Sequence, residues 1–420
     1  MFNRGLSLDQ APPFAVILRF FLTLPVAGAL LAAALFFADG SAVTLWDAPA
    51  AVGIVHLAVL GFAATAMVGA LFQMLPVIAG AAVKAPLYHS RWIHAFMSLG
   101  TLMLAGAFLF DQPRLLHPAL ALLVGSLGFV VYLMLSKLLR VENKTPSVVG
   151  MITAVVSLGF GLLFAVLVTL TFMGIDVGLP PGELRTIHMH FMLFGWIASL
   201  VMAVAFQVIE MFYVTPPYPE GVRRWFPAAV LALLVVQVPF YLLSLGTVAV
   251  LDGALALLLA GFAAVTLRRL SQRKRPVADA TVLLWRTGMI ALIAASAAAL
   301  VSLSGLPKLF DAAALAFGYF FFSVIFAMSY KIVPFLVWFH LNAKGVLETP
   351  MMGDIVPAKM ARFHLWLHWA AGAALAVAVA LPAAWKAVAL LLFAESLLFG
   401  YNLFKAAQIY SRLKNKGIIK

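Results

Sequence analysis

Residues 51–79 read AVGIVHLAVLGFAATAMVGALFQMLPVIA: twenty-nine positions with no acid, no Lys and no Arg. A helix of this length rises about 43 Å at 1.5 Å per residue, more than the roughly 30 Å hydrocarbon thickness of a bilayer. The stretch does not alternate polar and apolar residues, and unpaired backbone groups are costly in lipid, so a helix is the structure it can adopt there. The rest of the 420-residue chain has the same character. It is 65% apolar and 10% charged, against roughly 45–50% and 25% in soluble domains, and its mean hydropathy is +1.07. That composition excludes a soluble enzyme, a secreted domain and a nucleic-acid-binding module. The chain has no cysteine, which removes disulfides, thiolate metal sites, iron–sulfur clusters and c-type haem attachment. No P-loop, dinucleotide fingerprint or His-Glu-x-x-His motif is present.

Working outward from this stretch, hydropathy predicts twelve spans near 13–38, 49–79, 91–110, 117–138, 149–174, 187–213, 225–249, 252–268, 281–303, 312–339, 363–384 and 386–406. The first is expected to be a retained span, since no small-residue cleavage site follows it. The net charge is 28 − 15 = +13, and its distribution is informative. Alternate loops and both termini hold 21 Lys and Arg, while the opposite loops hold Arg114, Arg185, Lys308 and Lys386. By the positive-inside rule both termini are expected in the cytoplasm, and no polyanionic partner is needed to explain the surplus. The localisation this implies is the bacterial cytoplasmic (inner) membrane. The longest inner loop, 342–358, is expected to carry a short interfacial helix.

The opening stretch recurs. His56-Leu-Ala-Val-Leu-Gly61 leads to Phe72-Gln73, and His190-Phe-Met-Leu-Phe-Gly195 leads to Phe206-Gln207, with 17 residues from histidine to glutamine each time. The tenth span ends Tyr330-Lys331-Ile332-Val333-Pro334, with Ala314 where the others have histidine. Similar tryptophan motifs open the following helices, at Trp92, Trp225 and Trp366. The fold expected is therefore an all-α polytopic membrane protein: twelve transmembrane helices in three four-helix arcs with pseudo-threefold symmetry. It is one domain with repeats over about 13–148, 149–280 and 281–406.

A ring of three four-helix arcs, with histidines at the outer ends of the second and sixth helices, resembles subunit I of the haem–copper oxidases. Length and shape also resemble the NnrS-type membrane proteins associated with haem, copper and nitric-oxide stress. The resemblance implies a haem-binding role for His56, with His188 or His190 in the place of the family's sixth-helix metal histidine. The adjacent histidine pair of the family's seventh helix is missing around Phe240 and Tyr241, so a complete oxygen-reducing haem–copper centre is not expected. Nor does this chain have the aromatic-His-x-His-Glu opening expected of an NnrS-type protein.

His56, His188 and His190 form the outer candidate site, with haem b as first cofactor and copper as second. The alternative is that they hydrogen-bond the helix ends. Residues i and i+2 are about 200° apart on a helix, so His188 and His190 cannot share one small site, and the repeat favours His190 as partner of His56. His117 opens the fourth helix on the same side.

An inner polar belt comprises Gln73, Gln207, Glu210, Lys331, His94, His364 and His368, with His340 and His89 nearby. His364 and His368, at i and i+4, share one face. The belt suits a quinone, an anion, a second metal or inward proton transfer, or simply the headgroup region. Glu395 lies about nine residues into the last span; intramembrane carboxylates are usually paired or functional, and Asn402 is on roughly the same face. The leading expectation is haem-linked electron transfer or nitric-oxide physiology, with the bilayer, a quinone, an electron-transfer protein or respiratory-complex subunits as partners. Whether the chain is itself an enzyme stays open. The runners-up are a proton-coupled transporter or channel and a non-catalytic respiratory subunit.

Overall fold

The computed structural model describes residues 10–275 and 277–416, and among them all regular structure is helical. The long helices are α1 Phe14–Phe37, α2 Pro49–Ala79, α3 Pro86–Leu109, α4 Leu116–Leu138, α5 Pro146–Phe172, α6 Pro181–Tyr213, α7 Glu220–Leu242, α8 Val248–Ser271, α9 Ala280–Ser302, α10 Pro307–Ala343, α11 Ala358–Ala378 and α12 Trp385–Leu413. Eleven are long and apolar enough to cross a membrane; α11, which carries Lys359, Arg362, His364 and His368, is the one outside that set. The chain is thus an all-helical, multi-pass membrane protein. Arg4 and Lys420, two of the basic residues counted above, lie outside the described residues.

Prolines open α2, α3, α5, α6 and α10, where a missing N–H costs nothing because the first helical turn leaves it unpaired anyway. Asp279 caps α9 by accepting from the Val282 N–H at 3.0 Å, and Gly80 ends α2 at φ 62°. The expected short helix in the long loop is present as one turn, Met352–Ile355. Two expectations shift. The α7–α8 turn is wider than the two or three residues read from hydropathy, with Ser244 at φ 51° between helices ending at Leu242 and starting at Val248. α11 begins at Ala358 rather than 363, because the helix continues through Lys359 and Arg362, which hydropathy assigns to the loop.

α2, α6 and α10 are the innermost helices: 67%, 72% and 83% of their most apolar windows are buried, against 50% or less for the other spans. The remaining helices surround them, with α4 against α5, α8 against α9 and α12 back against α1. Large apolar side chains such as Leu257, Ile290, Leu390 and Phe404 point outward, as lipid requires. A small apolar cavity lies between the inner three helices, lined by Ala66, Met67 and Ala70 of α2, Leu200, Val201 and Val204 of α6, and Val324, Ile325 and Met328 of α10. α2 and α6 share a further feature. Each contains an eight-residue π-helical segment, Leu57–Ala64 and Phe191–Ala198, starting just after His56 and His190 and followed by fifteen α-helical residues. Such segments are rare and gather at functional sites.

Candidate functional site

The end of the bundle where α1 finishes and α2 begins is the far end; the other, where α1 begins and α12 finishes, is the terminal side. His56 and His188 each lie seven residues past the proline that opens their helix (56 − 49 and 188 − 181), about 10 Å below the far end. Their rings are nearly parallel, 14° between planes, with centroids 6.5 Å apart. Nδ1 of His56 donates to the Val52 carbonyl at 2.8 Å, and Nδ1 of His188 donates across helices to the Gly161 carbonyl at 2.9 Å. A neutral imidazole that donates from Nδ1 keeps Nε2 as a bare lone pair, and a backbone carbonyl is a common orienting partner for a metal-binding histidine. One turn nearer the far end, Arg185 pairs with Asp47 beside a cleft lined by Thr171, Pro181 and Gly182.

His190 faces elsewhere, as its i+2 spacing from His188 requires. Its Nδ1 lies 3.3 Å from Gln237 Oε1 and 3.9 Å from Asp252 Oδ1. Asp252 also accepts from Gln237 Nε2 at 3.0 Å and from the Tyr241 hydroxyl at 2.8 Å. The ring beside His56 is therefore that of His188, whereas the repeat spacing favours His190. Asp252, Gln237 and Tyr241 are not among the residues singled out from the sequence; the signal available was an acid just inside a helix whose other charges, Arg268 and Arg269, lie at its opposite end. His117 is exposed and joins neither group.

The inner belt is not one site. His94 meets the Thr23 hydroxyl at 2.7 Å, Lys331 pairs with Asp279 at 2.6 Å, and Glu210 accepts from the Tyr218 N–H at 2.9 Å. Asp279 sits outside the spans. Burial would raise its pKa, but Lys331 and its hydrogen bonds to Thr281 and Val282 outweigh burial and hold the carboxyl below its ordinary value. Gln73 is buried with Oε1 unpaired, and His340 packs among Phe14, Phe339 and Tyr410. His89 rests against Tyr88 and Phe129. Gln207 is half-buried in α6.

His364 and His368 leave the belt altogether, because the early start of α11 carries them deeper. Both are buried against Glu395, itself 1% exposed and about 15 Å along α12 from its far end. Glu395 Oε1 lies 2.7 Å from His368 Nδ1 and 3.2 Å from His364 Nε2. Only the first is aligned as a hydrogen bond; among the described residues His364 Nδ1 has no hydrogen-bond partner. An unmet buried polar group costs about 1–3 kcal/mol, so the Nδ1 side of the ring is the costly one. His368 Nε2 lies 2.7 Å from Ser323 Oγ, and Tyr319 stacks on the ring at 4.3 Å while its hydroxyl donates to the His368 carbonyl. Gly372 permits that packing: a Cβ there would fall 2.5 Å from the Tyr319 ring. Asn402 does not reach Glu395; its amide donates to the Tyr330 hydroxyl at 2.9 Å.

Among the described residues no group of three or more His, Cys, Asp or Glu is arranged to hold a metal ion. No protein-family model matches the chain, and no curated protein is recognisably similar to it. Class and site therefore rest on the fold and geometry: a multi-pass helical membrane protein with a far-end histidine pair and a separate buried acid–histidine cluster.

Proposed function

We propose that this is a haem-binding integral membrane protein of the oxidase subunit I-like fold, with haem held between His56 and His188. Its role would be respiratory electron transfer or nitric-oxide physiology, without a haem–copper oxygen-reducing centre. The observation that carries the reading is the parallel pair of rings 6.5 Å apart, each with Nδ1 fixed on a carbonyl. His56 and His188 would hold the group through their Nε2 atoms, since each Nδ1 is taken by a carbonyl. Two histidines suffice for haem iron, whose macrocycle supplies the other nitrogens, whereas a protein copper site usually recruits three or more residues. Bound haem would supply one-electron redox chemistry there.

The three-arc architecture with twelve spans belongs to the same proposal. Nine of the ten cavity-lining residues of α2, α6 and α10 support it: 66/200/324, 67/201/325 and 70/204/328 are the positions that the histidine–glutamine alignment makes equivalent, with Ile332 the tenth. The 21-to-4 split of basic residues supports both termini in the cytoplasm of a bacterial inner membrane. Full-length protein purified without added cofactor tests the function. A Soret band with sharp reduced alpha and beta bands is expected; a colourless protein would favour a proton-coupled transporter instead.

A further inference from the structure

The groove between α1 and α3 carries two arginines near its terminal end that neither histidine pair uses. Both helices start at the terminal side and run parallel. They meet where the Thr23 hydroxyl lies 2.7 Å from His94 Nε2 and the Phe20 ring stands edge-on to the His94 ring, centroids 5.2 Å apart. One turn nearer the terminal side are Arg19, four residues before Thr23, and Arg91, three residues before His94. At those spacings each arginine shares the helix face of the residue that makes the contact. Both lie five residues past the first residue of their helix (19 − 14 and 91 − 86), so they share a depth of about 8 Å below the terminal end.

No acid answers this pair. Among the described residues neither arginine takes part in an ion pair. Arg19 Nε donates to the Ala15 carbonyl at 3.1 Å, within its own helix, and the charge that acts on Arg19 is the like charge of Arg91. At the edge of a membrane the local dielectric is below that of water, so this repulsion is stronger than in solution. An anion between the two removes it, and phosphate oxygens match the fork of N–H donors that a guanidinium presents.

Above the pair, both helices turn apolar side chains outward. On α1, Val26 and Leu30 follow Arg19 at spacings of seven and eleven residues, which is the same face, and both are exposed. On α3, Arg91 is exposed and opens an outward face that continues through Trp92, Phe96, Leu99 and Leu102. The ligand that fits has a negative head at the terminal side and apolar chains directed to the membrane centre. An anionic glycerophospholipid has that chemistry, and basic pockets between membrane helices bind such headgroups. A soluble anion would engage the arginines and leave the apolar faces without a part.

We propose that Arg19 and Arg91 hold the phosphate of one anionic phospholipid, whose acyl chains lie along the exposed faces of α1 and α3. The site shares no residue with the His56–His188 pair and stands whether or not haem is bound there.

Native mass spectrometry of the full-length protein, released from nanodiscs of equal phosphatidylglycerol and phosphatidylcholine, tests the proposal. Wild type should retain phosphatidylglycerol in preference to phosphatidylcholine, and the double variant Arg19→Gln, Arg91→Gln should lower that retention about tenfold. Should the double variant fail to fold, Arg91→Gln alone, at an exposed position, should lower it about threefold. Arg224→Gln is the control: Arg224 is another terminal-side arginine, 5.0 Å above the Trp225 ring, and its loss should leave retention unchanged. No preference in wild type, wild-type retention in the Arg19 and Arg91 variants, or an equal loss in Arg224→Gln would overturn the site. Thermal unfolding in detergent separates a lipid from a soluble anion. Phosphatidylglycerol should raise the wild-type midpoint and inorganic phosphate should not; an equal rise with inorganic phosphate would overturn the lipid assignment.

Discussion

Two histidine pairs in this molecule use the same side chain in opposite ways. At the far end, His56 and His188 come from separate helices and donate Nδ1 to backbone carbonyls, and among the described residues their Nε2 atoms make no hydrogen bond. In the middle, His364 and His368 come from one helix and converge on a single carboxylate oxygen, backed by Ser323 and Tyr319. Rings held only through Nδ1 are ready for a ligand the chain does not supply. Rings that meet a buried acid already have their counter-charge. The same residue type is thus bonded to backbone carbonyls in one place and closed onto a buried carboxylate in the other, according to what its ring nitrogens meet.

The comparison breaks most visibly in stability. His368→Ala leaves Glu395 without its aligned partner in a buried site, and about 3 kcal/mol or more should be lost. His56→Ala removes one hydrogen bond to a carbonyl within its own helix and should cost about 1 kcal/mol in protein without cofactor. Thermal unfolding of the two variants in one lipid mixture checks the contrast; equal losses would erase the distinction between the pairs. A smaller effect sharpens it. Gly372→Ala places a methyl group against Tyr319 and should cost about 1–3 kcal/mol, with Glu395 chemistry disturbed and the His56–His188 region unchanged.

The smallest expected effect is at the terminal side. The depressed carboxyl of Asp279 contributes stability that is fully present above its unfolded-state pKa and lost as pH falls through its lower folded-state value. Acid titration of stability should therefore flatten in Asp279→Asn below the ordinary carboxylate range, about pH 4. An unchanged acid limb would remove Lys331 and Asp279 from the account.

The membrane character, the recurrence of His56 and His190, and the acid at 395 were all legible in the chain, because hydropathy and spacing are local properties. What was not legible was register between helices. His188 rather than His190 meets His56 because depth is set by where each helix starts, and the prolines at 49 and 181 set it equally for 56 and 188. The 17-residue spacing instead tracks the π segments, which begin after His56 and His190. His364 and His368 were visible as one face and Glu395 as an intramembrane acid. Their meeting depends on how the antiparallel α11 and α12 slide past one another, which neither sequence segment encodes alone. The charges at Lys359 and Arg362 hid the true start of α11 and so made mid-membrane histidines look peripheral.

The central claim is that His56 and His188 hold one haem while His190 does not. Haem stoichiometry and the reduced spectrum, measured for His56→Ala, His188→Ala and His190→Ala purified alike, test it most directly. The first two should lose the low-spin signature and the third should keep it. Loss in His190→Ala with retention in His188→Ala would contradict the geometry, and three spectra identical to wild type would remove haem from this layer.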